Sequence, residues 1–304
     1  MGKLINGQWH DQWYDTDKHG GRFVREDSVF RGQLGSSDFP VEANRYHLYV
    51  AAACPWAHRI LIMRQLKGLQ ELISTSFVTP LMLENGWSFD TDHSDPLYGY
   101  DFLYQLYTHA KADYTGRVTV PVLWDKKNQT IVNNESAELM VQLNHQFDHL
   151  TGNTLDLFPT ELSQTIETMN AWIYDRINNG VYKAGFATTQ QAYEKAVIPL
   201  FEALDQLEEK LAVQPYVCGG RITATDWRLF TTLIRFDAVY HGHFKCNIRR
   251  ICDYPHLSDF MSRLYQTPGI EQTIDWAEIK QHYYGSHRNI NPTGIVPVGP
   301  AHLV

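Results

Sequence analysis

The chain has 304 residues, 43% apolar and 20% charged, enough for about two ordinary domains and too apolar for a disordered chain. A net charge of −8 offers no basic surface for nucleic acid, and no apolar run approaches the ~20 residues of a membrane helix. The N-terminus lacks the apolar core of a signal peptide, Asn6 breaks a myristoylation motif at Gly2, and four cysteines make no disulfide framework, so a cytoplasmic setting is expected.

Residues 1–44 are rich in Gly, Asp, Trp and Phe without sustained periodicity. They are expected to be an ordered extension that wraps the body, pinned by Trp9, Trp13, Tyr14, Phe23 and Phe30. The next stretch, 46–63, reads YHLYVAAACPWAHRILIM. Tyr46, Leu48 and Val50 alternate as in a strand. Pro55 suits the first position of a helix, whose apolar residues Ile60, Leu61, Met63 and Leu66 lead to a stop at Lys67-Gly68. Cys54 is therefore expected at a helix N-terminus, facing backbone N–H groups and the positive end of the helix dipole. That setting favours thiolate, the reactive form, over the packing role of an ordinary buried cysteine. The fourth position of the motif is Ala57, so no resolving thiol lies close by, and a mixed disulfide on Cys54 needs an outside thiol to resolve it.

Residues 73–78 read as a second strand, parallel to the first through a right-handed crossover. A long connection follows, with turns at Asn85-Gly86 and Asp95-Pro96 and a helix presenting Phe102, Leu103, Leu106 and Tyr107 on one face. Residues 117–125 read as a strand interrupted by Pro121, a plausible cis site whose isomer the sequence leaves open. A turn at 125–128, a return strand at 130–132 and a helix carrying Ala137, Leu139, Met140 and Leu143 complete the unit. Asn133 or Asn134 is the expected cap, with Glu135 and Ser136 in the first turn. This order describes a thioredoxin-like α/β domain over 45–147.

A linker is expected at 148–160, then an all-α helical domain at 161–284. Its first helix carries Leu162, Ile166, Met169, Ile173 and Ile177 and breaks at Asn179-Gly180; further helices are expected at about 190–211, 226–240, 254–265 and 276–284. Thr223 and Asp226 form a capping-box pattern. The tail, 285–304, has prolines and no periodicity. Cys246 and Cys252 with His241 and His243 match no metal spacing, so no metal is expected; Cys218, His282 and His287 read as incidental.

Taken together, the run Cys54-Pro-Trp-Ala-His-Arg59, the turn Asn85-Gly86-Trp87, Arg117-Val-Thr-Val-Pro121, Asn134-Glu-Ser-Ala-Glu138, residues 179–186 (NGVYKAGF), Arg235-Phe-Asp237 and residues 291–295 (NPTGI) resemble the glutathionyl-hydroquinone reductases, the xi class of the cytosolic glutathione transferases. The resemblance runs through nearly the whole chain. It implies a homodimer and glutathione-dependent reduction of glutathionyl-hydroquinones. Cys54 would attack the glutathione sulfur and release hydroquinone, and a second glutathione would resolve the Cys54 mixed disulfide as glutathione disulfide. The departing ring carbon needs a proton, and the resemblance assigns the donor to Tyr182. It assigns Tyr240 and Tyr283 to stabilising the thiolate. The implied glutathione site is Trp87, Arg117, Val118, Thr119, Val120, Glu135 and Ser136. Val120 would pair its backbone with the cysteinyl part, Glu135 the γ-glutamyl ammonium, Ser136 a carboxylate at a helix N-terminus, Arg117 the glycyl carboxylate, and Trp87 would cover the ligand. Each also has a plain reading: packing for Val120 and Trp87, capping for Glu135 and Ser136, a solvated charge for Arg117. Rival functions are a general thioltransferase or dehydroascorbate reductase, a conjugating transferase, and a non-catalytic binding module of the same fold.

Overall fold

The computed structural model describes residues 2–301; Met1 of the expected 1–44 extension and positions 302–304 of the 285–304 tail lie outside the described residues. Two compact bodies share the chain. The first holds Met1–Trp13, Glu26–Leu155 and Thr273–His282; the second holds Tyr14–Arg25, Asp156–Gln272 and Tyr283–Val304.

In the first body, β1 (Lys3–Ile5) and β2 (Gln8–His10) form a hairpin that the sequence pattern does not reveal, since three-residue strands carry no period. Asn6 and Gly7 turn it with positive φ, and Trp9 stacks on Tyr104 at 5.1 Å. β3 (Tyr46–Val50), α1 (Pro55–Leu66), β4 (Ile73–Phe77) and α2 (Leu103–Ala110) follow as expected. All five β3 residues are buried rather than alternate ones, because β3 is central: β4 pairs with it in parallel and β6 antiparallel. Burial of Ile60, Leu61, Ile62 and Met63 holds α1 against the body, at about 1.5–3 kcal/mol for each side chain.

The expected strand over 117–125, interrupted at Pro121, is two short strands in two sheets. β5 (Gly116–Arg117) pairs with β1, and β6 (Val122–Asp125) pairs with β3. Pro121 cannot donate to a ladder and stands between them, just ahead of β6. β7 (Thr130–Asn133) returns beside β6, giving the order β4-β3-β6-β7. The turn is an Asx turn: Asp125 Oδ1 accepts from the N–H groups of Lys127 and Asn128. α3 (Ser136–His145) packs on α1. Its cap is Glu135 rather than Asn133 or Asn134; Asn133 Oδ1 instead accepts from Glu135 N at 2.7 Å, so it prepares the cap one step upstream. The short α4 (Asp148–Thr151) sits within the expected linker, where buried Lys67 donates to Leu155 O at 2.6 Å and pairs with Asp148 at 2.8 Å.

The second body is helical. α5 (Ser163–Ile173) runs into a π-helical turn, Tyr174–Asn178, and then α6 (Gly180–Gly185). The expected break at Asn179-Gly180 falls where α6 begins, yet the backbone there keeps helical dihedrals: Asn179 N–H reaches Tyr174 O, and α6 runs past Tyr182. α7 (Gln190–Leu211) and α8 (Ala224–Arg235) follow, with a second π turn at Phe236–Tyr240, then α9 (Pro255–Tyr265). The capping box at α8 forms: Asp226 Oδ2 accepts from Thr223 N at 2.7 Å while Oδ1 accepts from Val217 N at 2.8 Å. The last helix, α10 (Trp276–Ser286), belongs to the first body through His282. No helix among the described residues is long and apolar enough to cross a membrane.

Candidate active site

Cys54 is the N-cap of α1. Its backbone is extended (φ −78°, ψ 118°), Pro55 opens the helix, and Cys54 N–H donates to Ala51 O at 3.1 Å. The turn exposes the thiol partly, whereas Cys218 and Cys246 are buried. Burial pushes both of those thiols up, and Cys252, though exposed, is pushed up by partial burial and the nearby Asp237 carboxylate. None of the four cysteines is in a disulfide. Cys54 therefore differs from the other three in standing at a helix N-terminus, where thiolate is favoured.

The Cys54 thiol donates to Val120 O at 3.5 Å, and the Val120–Pro121 peptide is cis. The sequence left that isomer open; the structure fixes it and puts the Val120 backbone against the sulfur. Tyr107 braces the segment. Its hydroxyl donates to Thr119 O at 2.8 Å and accepts from Thr119 N at 3.2 Å and Asn134 Nδ2 at 3.1 Å. Burial raises the Tyr107 pKa, so the phenol keeps the proton this network needs. Sequence reasoning placed Tyr107 on a packed helix face and missed this role; only tertiary pairing reveals it. Val118 is buried beside it.

Glu135 and Ser136 stand at the N-terminus of α3. Glu135 Oε1 accepts from Ala137 N at 3.0 Å, while Ser28 of the N-terminal extension donates to Oε2 at 3.2 Å and to Asn134 O. The capping reading of Glu135 is thus realised in the structure, and Ser28 is a contact the sequence did not signal. Arg117 is buried, not a solvated surface charge: it donates to Gln12 O and lies 3.8 Å from Glu26. Trp87 is 6% exposed and stacks on His282 at 4.9 Å, while His282 Nδ1 donates to Pro80 O at 2.8 Å. His282, which read as incidental, orients Trp87. Of the two residues after Ala57, His58 is buried and bonded to Thr273, and Arg59 lies over the Trp56 ring at 4.4 Å.

Tyr182, Tyr240 and Tyr283 meet in the second body. The Tyr182 and Tyr283 hydroxyls are 2.6 Å apart, and those of Tyr240 and Tyr283 are 3.0 Å apart. The second π turn delivers Tyr240, and the first precedes the short helix that carries Tyr182; such turns re-aim side chains at functional sites. Burial, then the neighbouring phenols, pushes Tyr240 and Tyr283 well above the ordinary tyrosine range, so both remain neutral donors. The Phe244 ring packs against all three. It comes so close to Gly185 that a Cβ there would fall 2.2 Å from the ring, which explains glycine at this helical position. His287, also read as incidental, bonds His243 at 3.1 Å. Among the described residues no group of three or more His, Cys, Asp or Glu is arranged to hold a metal ion.

Known proteins carry the same two-part plan. The glutathione S-transferase N-terminal domain family matches residues 53–146 and the glutathione S-transferase C-terminal domain family matches 190–263. The glutathionyl-hydroquinone reductase YqjG of Escherichia coli K12 is 54% identical over 99% of this chain and 95% of its own. Its glutathione-bound structure superposes with a TM-score of 0.91, at 50% identity over 99% and 96% of the two chains. The glutathionyl-hydroquinone reductase PcpF of Sphingobium chlorophenolicum is 55% identical over 99% and 97%. A xi-class glutathione transferase of Natrialba magadii superposes with a TM-score of 0.93, at 43% identity over 99% and 94%. With the Cys-Pro helix start, the cis-proline segment and the helical second body, this extent of identity shows that the chain belongs to the glutathionyl-hydroquinone reductases, the xi class of the glutathione transferases.

Proposed function

We propose that this protein reduces glutathionyl-hydroquinones to hydroquinones with glutathione as co-substrate. The observation that carries the proposal is the lone Cys54 thiol at the start of α1, with Sγ against the Val120 carbonyl of the cis-proline segment. In the first half-reaction the Cys54 thiolate attacks the sulfur joining glutathione to the ring. The sulfur–carbon bond breaks, its electron pair goes to the ring carbon, and that carbon takes a proton from the Tyr182 hydroxyl. Hydroquinone leaves and Cys54 carries glutathione as a mixed disulfide. In the second half-reaction a glutathione thiolate attacks that disulfide, glutathione disulfide departs, and Cys54 returns as thiolate. The proton lost by the second glutathione replaces the one given to the ring.

The neutral phenols of Tyr240 and Tyr283 act as donors that stabilise the thiolate. For glutathione itself, the Val120 backbone, flanked by Val118 and Thr119, pairs with the cysteinyl part. Glu135 and Ser136 receive the γ-glutamyl end, Arg117 the glycyl carboxylate, and Trp87 covers the ligand. Ordered capping of α3 by Glu135 supports this assignment, because a carboxylate already fixed at the helix start meets an ammonium without further ordering. Four cysteines outside any disulfide favour a reducing cytoplasmic compartment, and a homodimer is expected, checked by sedimentation.

The test is turnover of purified protein with a glutathionyl-hydroquinone and free glutathione, beside Cys54→Ala. Cysteine-dependent release of hydroquinone and glutathione disulfide supports the proposal. Disulfide exchange on a simple glutathione mixed disulfide without hydroquinone release would replace it with a general thioltransferase. Silence in both assays would leave a binding module.

A further inference from the structure

The chain between Tyr14 and Arg25 packs against the body that holds the three tyrosines, and it is firmly placed there. Thr188 N–H donates to Gly21 O at 3.1 Å, and the Thr188 hydroxyl meets Thr16 Oγ1 at 3.3 Å. Gly21 has φ +84°, and a Cβ there would fall 2.6 Å from Thr189 Oγ1, so the approach requires glycine. Phe23 packs between Tyr14 at 4.6 Å and Phe186 at 5.3 Å. Two residues on, Arg25 lays its guanidinium 5.6 Å from the centre of the Tyr182 ring and 6.0 Å from that of Phe23.

We propose that Arg25, carried on the N-terminal segment, is a positioning residue for the first half-reaction, the charge that stabilises the anion left on Tyr182 when its proton passes to the hydroquinone carbon. The inference rests on the reading of Tyr182 as proton donor. The chemistry follows from the placement. A guanidinium over an aromatic face is attracted to the neutral ring, and more strongly to a phenolate. It therefore makes Tyr182 a better acid without touching the substrate.

The groups around the ring support that division of labour. Tyr283 is 2.6 Å from the Tyr182 hydroxyl, and Tyr240 continues the chain. Both are buried more deeply than Tyr182 and lie well above the ordinary tyrosine range, so they donate to a Tyr182 phenolate rather than compete as acids. Arg235 acts on Tyr240 and Tyr283, and His243 and His287 pack beside Tyr283. Arg25 lies over the Tyr182 ring itself. The first half-reaction consumes the Tyr182 proton, and the proton given up by the second glutathione restores it, so none is consumed over the full cycle.

The test is single-turnover release of hydroquinone from pre-reduced enzyme across neutral and alkaline pH, for wild type, Arg25→Lys, Arg25→Met and Tyr182→Phe. Each variant is also run on a simple glutathione mixed disulfide, which needs no proton on carbon. Arg25→Met should slow hydroquinone release about tenfold and move its alkaline limb to higher pH, with disulfide exchange as in wild type. Arg25→Lys should recover most of the rate. If Arg25→Met leaves rate and alkaline limb unchanged while Tyr182→Phe slows release, the role of Arg25 is overturned and that of Tyr182 stands. If Arg25→Met slows both reactions equally with the limb in place, Arg25 only supports the fold and the inference fails. If Tyr182→Phe slows both reactions equally, the donor reading fails, and the Arg25 inference with it.

Discussion

The cysteine region and the tyrosine region are built on opposite principles. Cys54 is placed by its neighbours in sequence: a strand, an Ala-rich turn, a proline at the helix start. Tyr182, Tyr240 and Tyr283 are placed by packing, with the first and the last 101 positions apart in sequence and two π turns aiming their helices. A locally encoded site needs few supports and tolerates change at a distance. A site assembled by packing depends on every residue that sets helix approach, as the clash awaiting a Cβ at Gly185 illustrates.

Cutting each region separately sharpens the contrast. The largest effect is expected from Cys54→Ala, which should abolish glutathione-dependent hydroquinone release; Cys54→Ser should unmask conjugating activity, measured as thioether formation with a quinone. Tyr182→Phe should slow hydroquinone release by about 100-fold, within the range for loss of a general acid, and slow reduction of a simple mixed disulfide far less. Equal slowing of both would remove Tyr182 from the donor role. Gly185→Ala forces its methyl into Phe244 and should cost about 1–3 kcal/mol in urea unfolding. Activity should fall with stability, since Phe244 packs on all three tyrosines; full stability in this variant would contradict the packing described.

The smallest expected effect is a difference in pH response. In the first body His47 is buried between the Ser74 and Ser76 hydroxyls, and burial, then Lys126, lowers its pKa to about 4. It stays neutral when folded but protonates near its ordinary value when unfolded. Its contribution is present above about pH 6.5 and is lost as pH falls toward 4. In the second body Asp226 is raised to about 6 by burial, against the N–H groups that cap α8. Its protonated form is favoured by folding, so its contribution is full below about pH 4 and is lost as pH rises through 6. Between about pH 7 and 5.5 the two terms are each on the order of 1 kcal/mol and opposite in sign. His47→Gln should make acidification over this window less destabilising, and Asp226→Asn more so. Urea unfolding at the two pH values checks both; parallel slopes in all three proteins would refute the assignment.

The same contrast explains what the sequence discloses. Strand β3, helix α1 and the cysteine between them are legible because alternation, Pro55 and Lys67-Gly68 all act within a few residues. The hairpin at Lys3–His10 leaves no sequence signal because its strands are too short for a period. The cap of α3 is not legible because Asn133, Asn134 and Glu135 are all competent acceptors, and only the Asn133 bond to Glu135 N selects among them. The burial of Arg117 is not legible in the sequence, because its partners, Gln12 and Glu26, lie about a hundred residues upstream. The tyrosines were picked out of 17 only through resemblance to a family. No periodicity announces a π turn, and none announces which phenols meet.

The chain passes from one body to the other after Trp13, Arg25, Leu155, Gln272 and His282. Neither body is a continuous piece of polypeptide, so no single cut in the gene frees either one. A fragment ending at Leu155 would lack the Thr273, Glu278 and His282 partners of His58, His93 and Trp87, and would carry Tyr14–Arg25 without the helices it lies on. The ribosome must release nearly the whole chain before the first body can close, and the halves cannot be traded one for one with those of a relative.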